Sequence, residues 1–195
     1  MRPLGPKTLI ALGSNEESAW GDSRETVQKA MLAVAEISDQ PPEMSGFFAT
    51  PAFPVGAGPD FVNAAMVIST RLVPADLLAR LHEIEATAGR TRARRWGQRT
   101  LDLDLIAVGD TVLPSHAAHQ RWRDLPLTQQ QEQIPDELIL PHPRLQDRAF
   151  VLVPMLDVAP GWQHPVLGCS IAQMVAALPE ELQAEVIRLS DPHTP

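Results

Sequence analysis

Along this chain the apolar positions switch between repeats of two and of 3.6 residues, and the switches predict its elements. Thr8 to Leu12 is a β-branched and apolar run halted by Gly13-Ser14-Asn15, which predicts a strand entering a turn. Val27, Met31, Val34 and Ile37 then recur at helical spacing behind Asp22 and Glu25, a capping-box start, until Pro41 and Pro42 end anything helical. Glu43 to Ala49 and Phe61 to Thr70 read as strands on either side of a Pro- and Gly-rich loop, residues 50–60, long enough to close over a ligand. A second helix opens on Pro74, buries Leu77, Leu81, Ile84 and Ala88, and stops at Gly89. Leu101, Leu103 and Leu105 alternate with Asp102 and Asp104, so the next strand should carry a leucine face and a carboxylate face. The order βαββαβ is that of an α+β, ferredoxin-like split βαβ sandwich. Residues 113–137 turn polar, include the run Gln129-Gln130-Gln131-Glu132-Gln133, and are expected to be an exposed, irregular insertion. Arg148 to Pro154 and Ser170 to Leu178 are expected to add short C-terminal helices or turns flanking the core.

Length and composition narrow this picture to a single domain over residues 1–195. Its 195 residues, 44% hydrophobic and 21% charged, suit one compact globular unit with a sizeable core. No signal-peptide pattern and no apolar run near the ~18 residues of a membrane span are visible, and the lone Cys169 cannot close an internal disulfide. A cytoplasmic setting away from membranes is expected, with Cys169 a small buried hydrophobe. A net charge of -8 disfavours nucleic acid, whose binding is driven by neutralising many phosphates.

The positive charge is nevertheless concentrated. Arg90, Arg92, Arg94, Arg95 and Arg99 fall within ten residues, in a chain with only two lysines, Lys7 and Lys29. Guanidinium forks match phosphate oxygens, so the cluster suggests a compact polyphosphate ligand, against the plainer reading of a solvated basic loop. Directly after it, Asp102 and Asp104 share a strand face with backbones about 6.6 Å apart, at about 3.3 Å per residue. Aspartate is depleted in strands and like charges on one face repel, so the pair needs a cationic partner. Magnesium accepts one or two carboxylates together with phosphate oxygens and water. A magnesium-nucleotide site is therefore favoured over a merely solvated edge strand.

Gly13-Ser14-Asn15, Thr50-Pro51, Phe61-Val62-Asn63, Gly89-Arg90, the string from Arg95 through Trp96, Gly97, Gln98, Arg99, Thr100 and Leu101 to Asp102-Leu103-Asp104, and Leu140-Pro141-His142-Pro143-Arg144 appear in the order of one family. Over residues 8–178 the chain closely resembles the 6-hydroxymethyl-7,8-dihydropterin pyrophosphokinases. The resemblance implies transfer of pyrophosphate from ATP to the hydroxymethyl group of 6-hydroxymethyl-7,8-dihydropterin, releasing AMP, in folate biosynthesis. It implies two Mg2+ ions bound with ATP, small-molecule substrates, and no obligate protein partner.

Site residues follow from the same resemblance. Asp102 and Asp104 would hold the metal, and with Arg92 and Arg95 form the catalytic group. ATP would be met by Glu85, Arg90, Arg95, Trp96, Arg99, His142 and Arg148; the pterin by Thr50, Pro51, Phe53, Phe61, Asn63, Trp96 and Phe150. Between Arg90 and Trp96 this chain is one residue shorter than the best-known family form, so the alignment of Arg92 and Arg94 stays open. Pro143 stands where the family often has tyrosine, and Phe61 where some members have it. Glu85 is weighed equally as a solvated helix carboxylate and Trp96 equally as lid or loop anchor, while for Phe61 and Phe150 ordinary core packing is the default alternative. Asn63 is harder to dismiss, since an amide flanked by Val62, Ala64 and Ala65 demands specific hydrogen bonds. An ATP-holding module without turnover, and another metal-dependent phosphotransferase, are the rival classes; an RNA-binding module is disfavoured by the charge and by the lack of an RNP-type aromatic pattern.

Overall fold

A computed structural model describes residues 4–52, 58–89, 100–126, 129, 133 and 135–190. Its centre is an antiparallel sheet in the order β5-β1-β4-β3-β6, with β1 at Lys7–Ser14, β3 at Phe48–Thr50, β4 at Phe61–Ser69, β5 at Asp102–Val108 and β6 at Ile187–Arg188. A two-residue strand, β2 at Glu43–Met44, pairs with β4 beyond β3. The expected single strand over Glu43 to Ala49 is thus two pieces. Met44 lies opposite Met66 but Phe48 opposite Asn63, so four residues on one side match three on the other, and the extra residue is accommodated at Ser45-Gly46-Phe47. There Gly46 turns its N–H to Asp157 Oδ2 at 3.0 Å, leaving the ladder.

Alternation along the strands gives the sheet two apolar faces. Ile10, Leu12, Ala64, Met66, Ile68, Leu103 and Leu105 face one way, under helices α1 (Ser23–Ala35) and α2 (Pro74–Thr87). Helix α1 starts as expected: Asp22 Oδ1 accepts from the Glu25 backbone at 2.9 Å while Glu25 Oε2 accepts from Asp22 N. Its buried stripe is Val27, Ala30, Met31 and Val34; Ile37, past the helix end, packs against the same core. Helix α2 has Pro74 in its first turn and ends before Gly89, whose φ of +90° is costly for any other residue.

Leu9, Ala11, Ala65, Val67, Ile106 and Ala107 face the other way, and the C-terminal segments cover them. Helix α4 (Ala149–Met155) contributes Val151, Leu152 and Met155; helix α5 (Ile171–Ala177) contributes Ile171, Met174 and Val175. A short helix, α6 (Glu180–Ala184), leads into β6. The C-terminal elements are therefore a third layer over an apolar sheet face, more than a flanking addition.

The insertion also departs from expectation. Its ends are pinned by Leu113 and Leu140, which exchange backbone hydrogen bonds of 2.9 and 3.2 Å, and it contains helix α3 (His116–Asp124), capped by Ser115. That helix buries His119 completely. Sequence pattern could not show this, because one histidine in a polar stretch carries no periodic signal.

Candidate active site

Among the described residues, Asp102, Asp104 and Asn63 share the second sheet face, at the end where β1 leaves the sheet. Four strands supply one cross-strand row: Asp102 on β5, Gly13 on β1, Asn63 on β4 and Phe48 on β3, each opposite the next in register. The row beneath it runs Asp104, Ala11, Ala65. Polar or aromatic groups thus stand at the sides, with small residues on the strand between them. A Cβ at position 13 would sit 3.0 Å from Asn63 Oδ1 and 3.9 Å from Phe61 Cδ1, so glycine here keeps a shallow floor between the amide and the carboxylates.

The amide end is preorganised. Asn63 is buried, and its Nδ2 donates to Thr50 Oγ1 at 2.8 Å, which leaves Oδ1 toward Gly13. Phe61 is half-buried on the same strand face, Pro51 is exposed, and Phe48 packs behind with the Arg188 guanidinium 4.6 Å from its ring centroid. Arg188 in turn pairs with Asp157, the residue that holds Gly46. This bracket from the C-terminal strand to the sheet edge was not legible in the sequence, since its members are spread over residues 46–188.

At the carboxylate end, Asp102 and Asp104 are both partly exposed, while Leu101, Leu103 and Leu105 are buried on the other side, as the alternation requires. Arg148, the residue that begins α4, donates through Nη1 to Asp104 Oδ2 at 3.1 Å. Phe150 follows it, 40% exposed with its ring centroid 5.7 Å from the Arg148 guanidinium, so it is a surface aromatic and not core packing. A β-bulge positions the next group. Ile10 pairs with Leu105 and Leu9 with Ala107, leaving Ile106 as the extra residue, and the Ile106 carbonyl accepts from His142 N at 2.7 Å. The His142 segment is thereby docked on the free edge of the aspartate strand. Its ring Nδ1 accepts from Arg144 N at 3.1 Å, which places the neutral imidazole's proton on Nε2. Burial first, then the Arg148 and Arg144 charges, hold this histidine well below the ordinary value of 6.5, with Asp102 pulling weakly the other way.

Glu85 is not a solvated carboxylate. It is 2% exposed at the C-terminal end of α2, on the opposite face of the sheet, and its Oε1 accepts from Leu103 N at 2.8 Å. It therefore reaches the site through the backbone between the two aspartates. The Gly13-Ser14-Asn15 turn works similarly: Ser14 Oγ donates to the Thr100 carbonyl at 2.6 Å and Asn15 Nδ2 to the Pro59 carbonyl at 3.2 Å, tying down the chain entering β5 and the loop entering β4. Phe53, Arg90, Arg92, Arg95, Trp96 and Arg99 lie outside the described residues.

Comparison with known proteins places the chain in a family. The family model for 7,8-dihydro-6-hydroxymethylpterin-pyrophosphokinase (HPPK) matches residues 9–160. The chain belongs to the HPPK family. A 2-amino-4-hydroxy-6-hydroxymethyldihydropteridine pyrophosphokinase from Pseudomonas aeruginosa is 36% identical over 180 residues, covering 90% of this chain and 93% of that one. The Haemophilus influenzae protein of the same name is 32% identical over 151 residues, covering 77% and 79%. Among solved structures, an HPPK-DHPS in complex with substrates superposes with a TM-score of 0.61 at 12% identity, and the wild-type Plasmodium falciparum HPPK-DHPS with SDX-DHP with 0.58 at 14%. These cover 89% and 88% of this chain, which spans 43% of each of those longer chains, and at such identity they speak for the HPPK fold alone.

Proposed function

We infer that the protein is a pyrophosphokinase that transfers the β,γ-pyrophosphoryl group of ATP to the hydroxymethyl oxygen of 6-hydroxymethyl-7,8-dihydropterin, releasing AMP. The observation that carries this reading is the order of groups across the second sheet face. The Asn63-Thr50 amide end, the Gly13-Ala11 floor, the Asp102-Asp104 pair and the His142-Arg148 edge follow one another over neighbouring strands about 4.8 Å apart. A flat ring with an amide-like edge, a hydroxymethyl arm, a cation-bound triphosphate and a nucleoside have the same order. The sheet itself we read as the split βαβ arrangement, since its first, third, fourth and fifth strands run β5-β1-β4-β3 with every neighbour antiparallel.

The donors suit magnesium. Asp102 and Asp104 offer hard carboxylate oxygens on one accessible face, and Arg148 balances one of them. When bound there, two Mg2+ ions would neutralise the triphosphate and lower the proton affinity of the substrate hydroxyl. The chain's own contribution is positioning. Asn63 Oδ1 and the pterin edge align the ring, Phe61, Pro51 and the exposed Phe150 confine its faces, and Gly13 admits the arm toward the aspartates. His142 donates from Nε2 to the nucleotide. Arg148, paired with Asp104 here, would be within reach of a phosphate oxygen of the bound nucleotide, and Glu85 keeps the aspartate strand in register from behind. By the family's pattern Phe53 and Trp96 would meet the pterin, and Arg90, Arg92, Arg95 and Arg99 would supply the remaining charge for the triphosphate. The setting proposed for this reaction is the cytoplasm; no helix among the described residues is long and apolar enough to cross a membrane.

Nucleotide product analysis tests the proposal. ATP incubated with the protein should yield AMP only when the pterin and magnesium are both present. ADP, or ATP consumption indifferent to the pterin, would overturn it in favour of another phosphotransferase, and tight ATP binding without turnover would overturn it in favour of a binding module.

A further inference from the structure

The insertion helix α3 carries a group that this reaction does not absorb. His119 is fully buried, and so is His164 at 1% exposure, in the turn that follows Trp162; their ring centroids lie 5.7 Å apart with planes at 62°. Their partners fix both tautomers. His119 Nε2 lies 3.0 Å from the Pro141 carbonyl, which can only accept, so Nε2 carries the proton and Nδ1 a lone pair. His164 Nδ1 accepts from Val166 N at 3.1 Å and Leu167 N at 3.2 Å, so its proton is on Nε2. The two nitrogens left over are a donor, His164 Nε2, and an acceptor, His119 Nδ1, both buried and neither hydrogen-bonded among the described residues. One offers what the other lacks. A metal ion would instead need a lone pair on His164 Nε2, the protonated atom, so the pair does not suit a cation.

The pair is also mechanically connected. The Trp162 ring packs 5.7 Å from His164 while its Nε1 donates to the Gly109 carbonyl at the end of β5. On the other side Pro141 is followed by His142, whose N–H is held by Ile106 in the same strand. Trp162, His164, His119 and Pro141 thus form a strap whose two ends are both fixed to β5. We propose that His119 and His164 are positioning residues for the nucleotide end of the site, packed ring against ring with His119 bonded to the Pro141 carbonyl, so that the insertion braces the Leu140–Arg144 segment and aims the His142 ring at ATP. Burial disfavours the charged form of both rings, and the His119 ring and Arg123 add repulsion at His164, which matches two neutral imidazoles packed together. The inference rests on the reading of His142 as an ATP contact.

Steady-state kinetics of His119→Phe, His119→Gln and His142→Ala test it. His119→Phe should raise the KM for ATP on the order of tenfold, the worth of about one hydrogen bond, and change the KM for the pterin by less than about twofold. His119→Gln, whose amide still reaches the Pro141 carbonyl, should recover most of the loss, and His119→Phe should add nothing to His142→Ala. An unchanged ATP KM in His119→Phe beside a raised one in His142→Ala overturns the brace alone. An unchanged ATP KM in His142→Ala overturns the reading of His142, and the brace with it. Should His119→Phe not fold, side-chain nitrogen NMR of the unaltered protein decides: both rings should be neutral Nε2–H tautomers at about pH 6, and an Nδ1–H on His119 overturns the brace.

Discussion

Replacing Glu85 measures how firmly the aspartate strand is held from behind. In the native protein a carboxylate 2% exposed accepts from Leu103 N at 2.8 Å, and Leu103 is the residue between Asp102 and Asp104. Glu85→Ala leaves that buried N–H without this acceptor, which costs about 1–3 kcal/mol, and removes packed side-chain atoms worth about another 1 kcal/mol. We expect a loss of about 2–4 kcal/mol in urea unfolding with an unchanged slope, against about 1 kcal/mol for Glu85→Gln, whose carbonyl oxygen still accepts. Activity should fall more steeply than stability, because a shift of about 1 Å in the strand moves both carboxylates and can cost on the order of a hundredfold in kcat/KM. An unfolding midpoint for Glu85→Ala like that of the unaltered protein, or a Gln variant as unstable as the Ala variant, would refute the argument that this hydrogen bond registers the strand.

Three further outcomes are expected. Asp102→Asn should lower turnover by on the order of a thousandfold while far-UV circular dichroism and unfolding stay unchanged, since it removes one of two repelling charges on an exposed face; full activity would sink the metal assignment. Gly13→Ala should raise the pterin KM about tenfold by pushing Asn63 Oδ1 a few tenths of an ångström, with the ATP KM unmoved, and equal effects on both substrates would contradict the shallow-floor reading. His164 has its value lowered to about 4, so it is neutral when folded but protonated when unfolded below about 6.5. Stability should therefore be fully present above that pH, decline as pH falls toward 4, and level off below. At ~1.36 kcal/mol per pH unit this group accounts for at most about 3 kcal/mol. His164→Gln should flatten that part of the curve, and unfolding at pH 7 and at about pH 4.5 compares the two proteins.

The local grammar of the chain was legible because it rests on short-range physics. Asp22 and Glu25 cap a helix wherever they occur at that spacing, Gly89 can take a positive φ that its neighbours cannot, and Leu101 to Leu105 alternate in any strand. These fixed α1, the end of α2 and the face on which Asp102 and Asp104 stand. Asn63 was singled out because an amide among apolar neighbours must be paired, and its partner proved to be Thr50.

What the sequence alone determined, then, is which residues share a face and which must be buried. Tertiary structure decided which faces meet. Glu85 read equally as solvent-exposed until the packing of α2 on β5 placed it against Leu103 N, and Phe150 had core packing as its default alternative until α4 left it exposed. The bulge at Ile106, the bracket of Asp157 and Arg188 behind Phe48, and the burial of His119 against Pro141 and His164 join residues tens of positions apart. No periodicity spans such separations. A hydrogen bond between distant residues forms only when the whole sheet and its two covering layers have fixed both ends, so the chain must be folded before it can be seen.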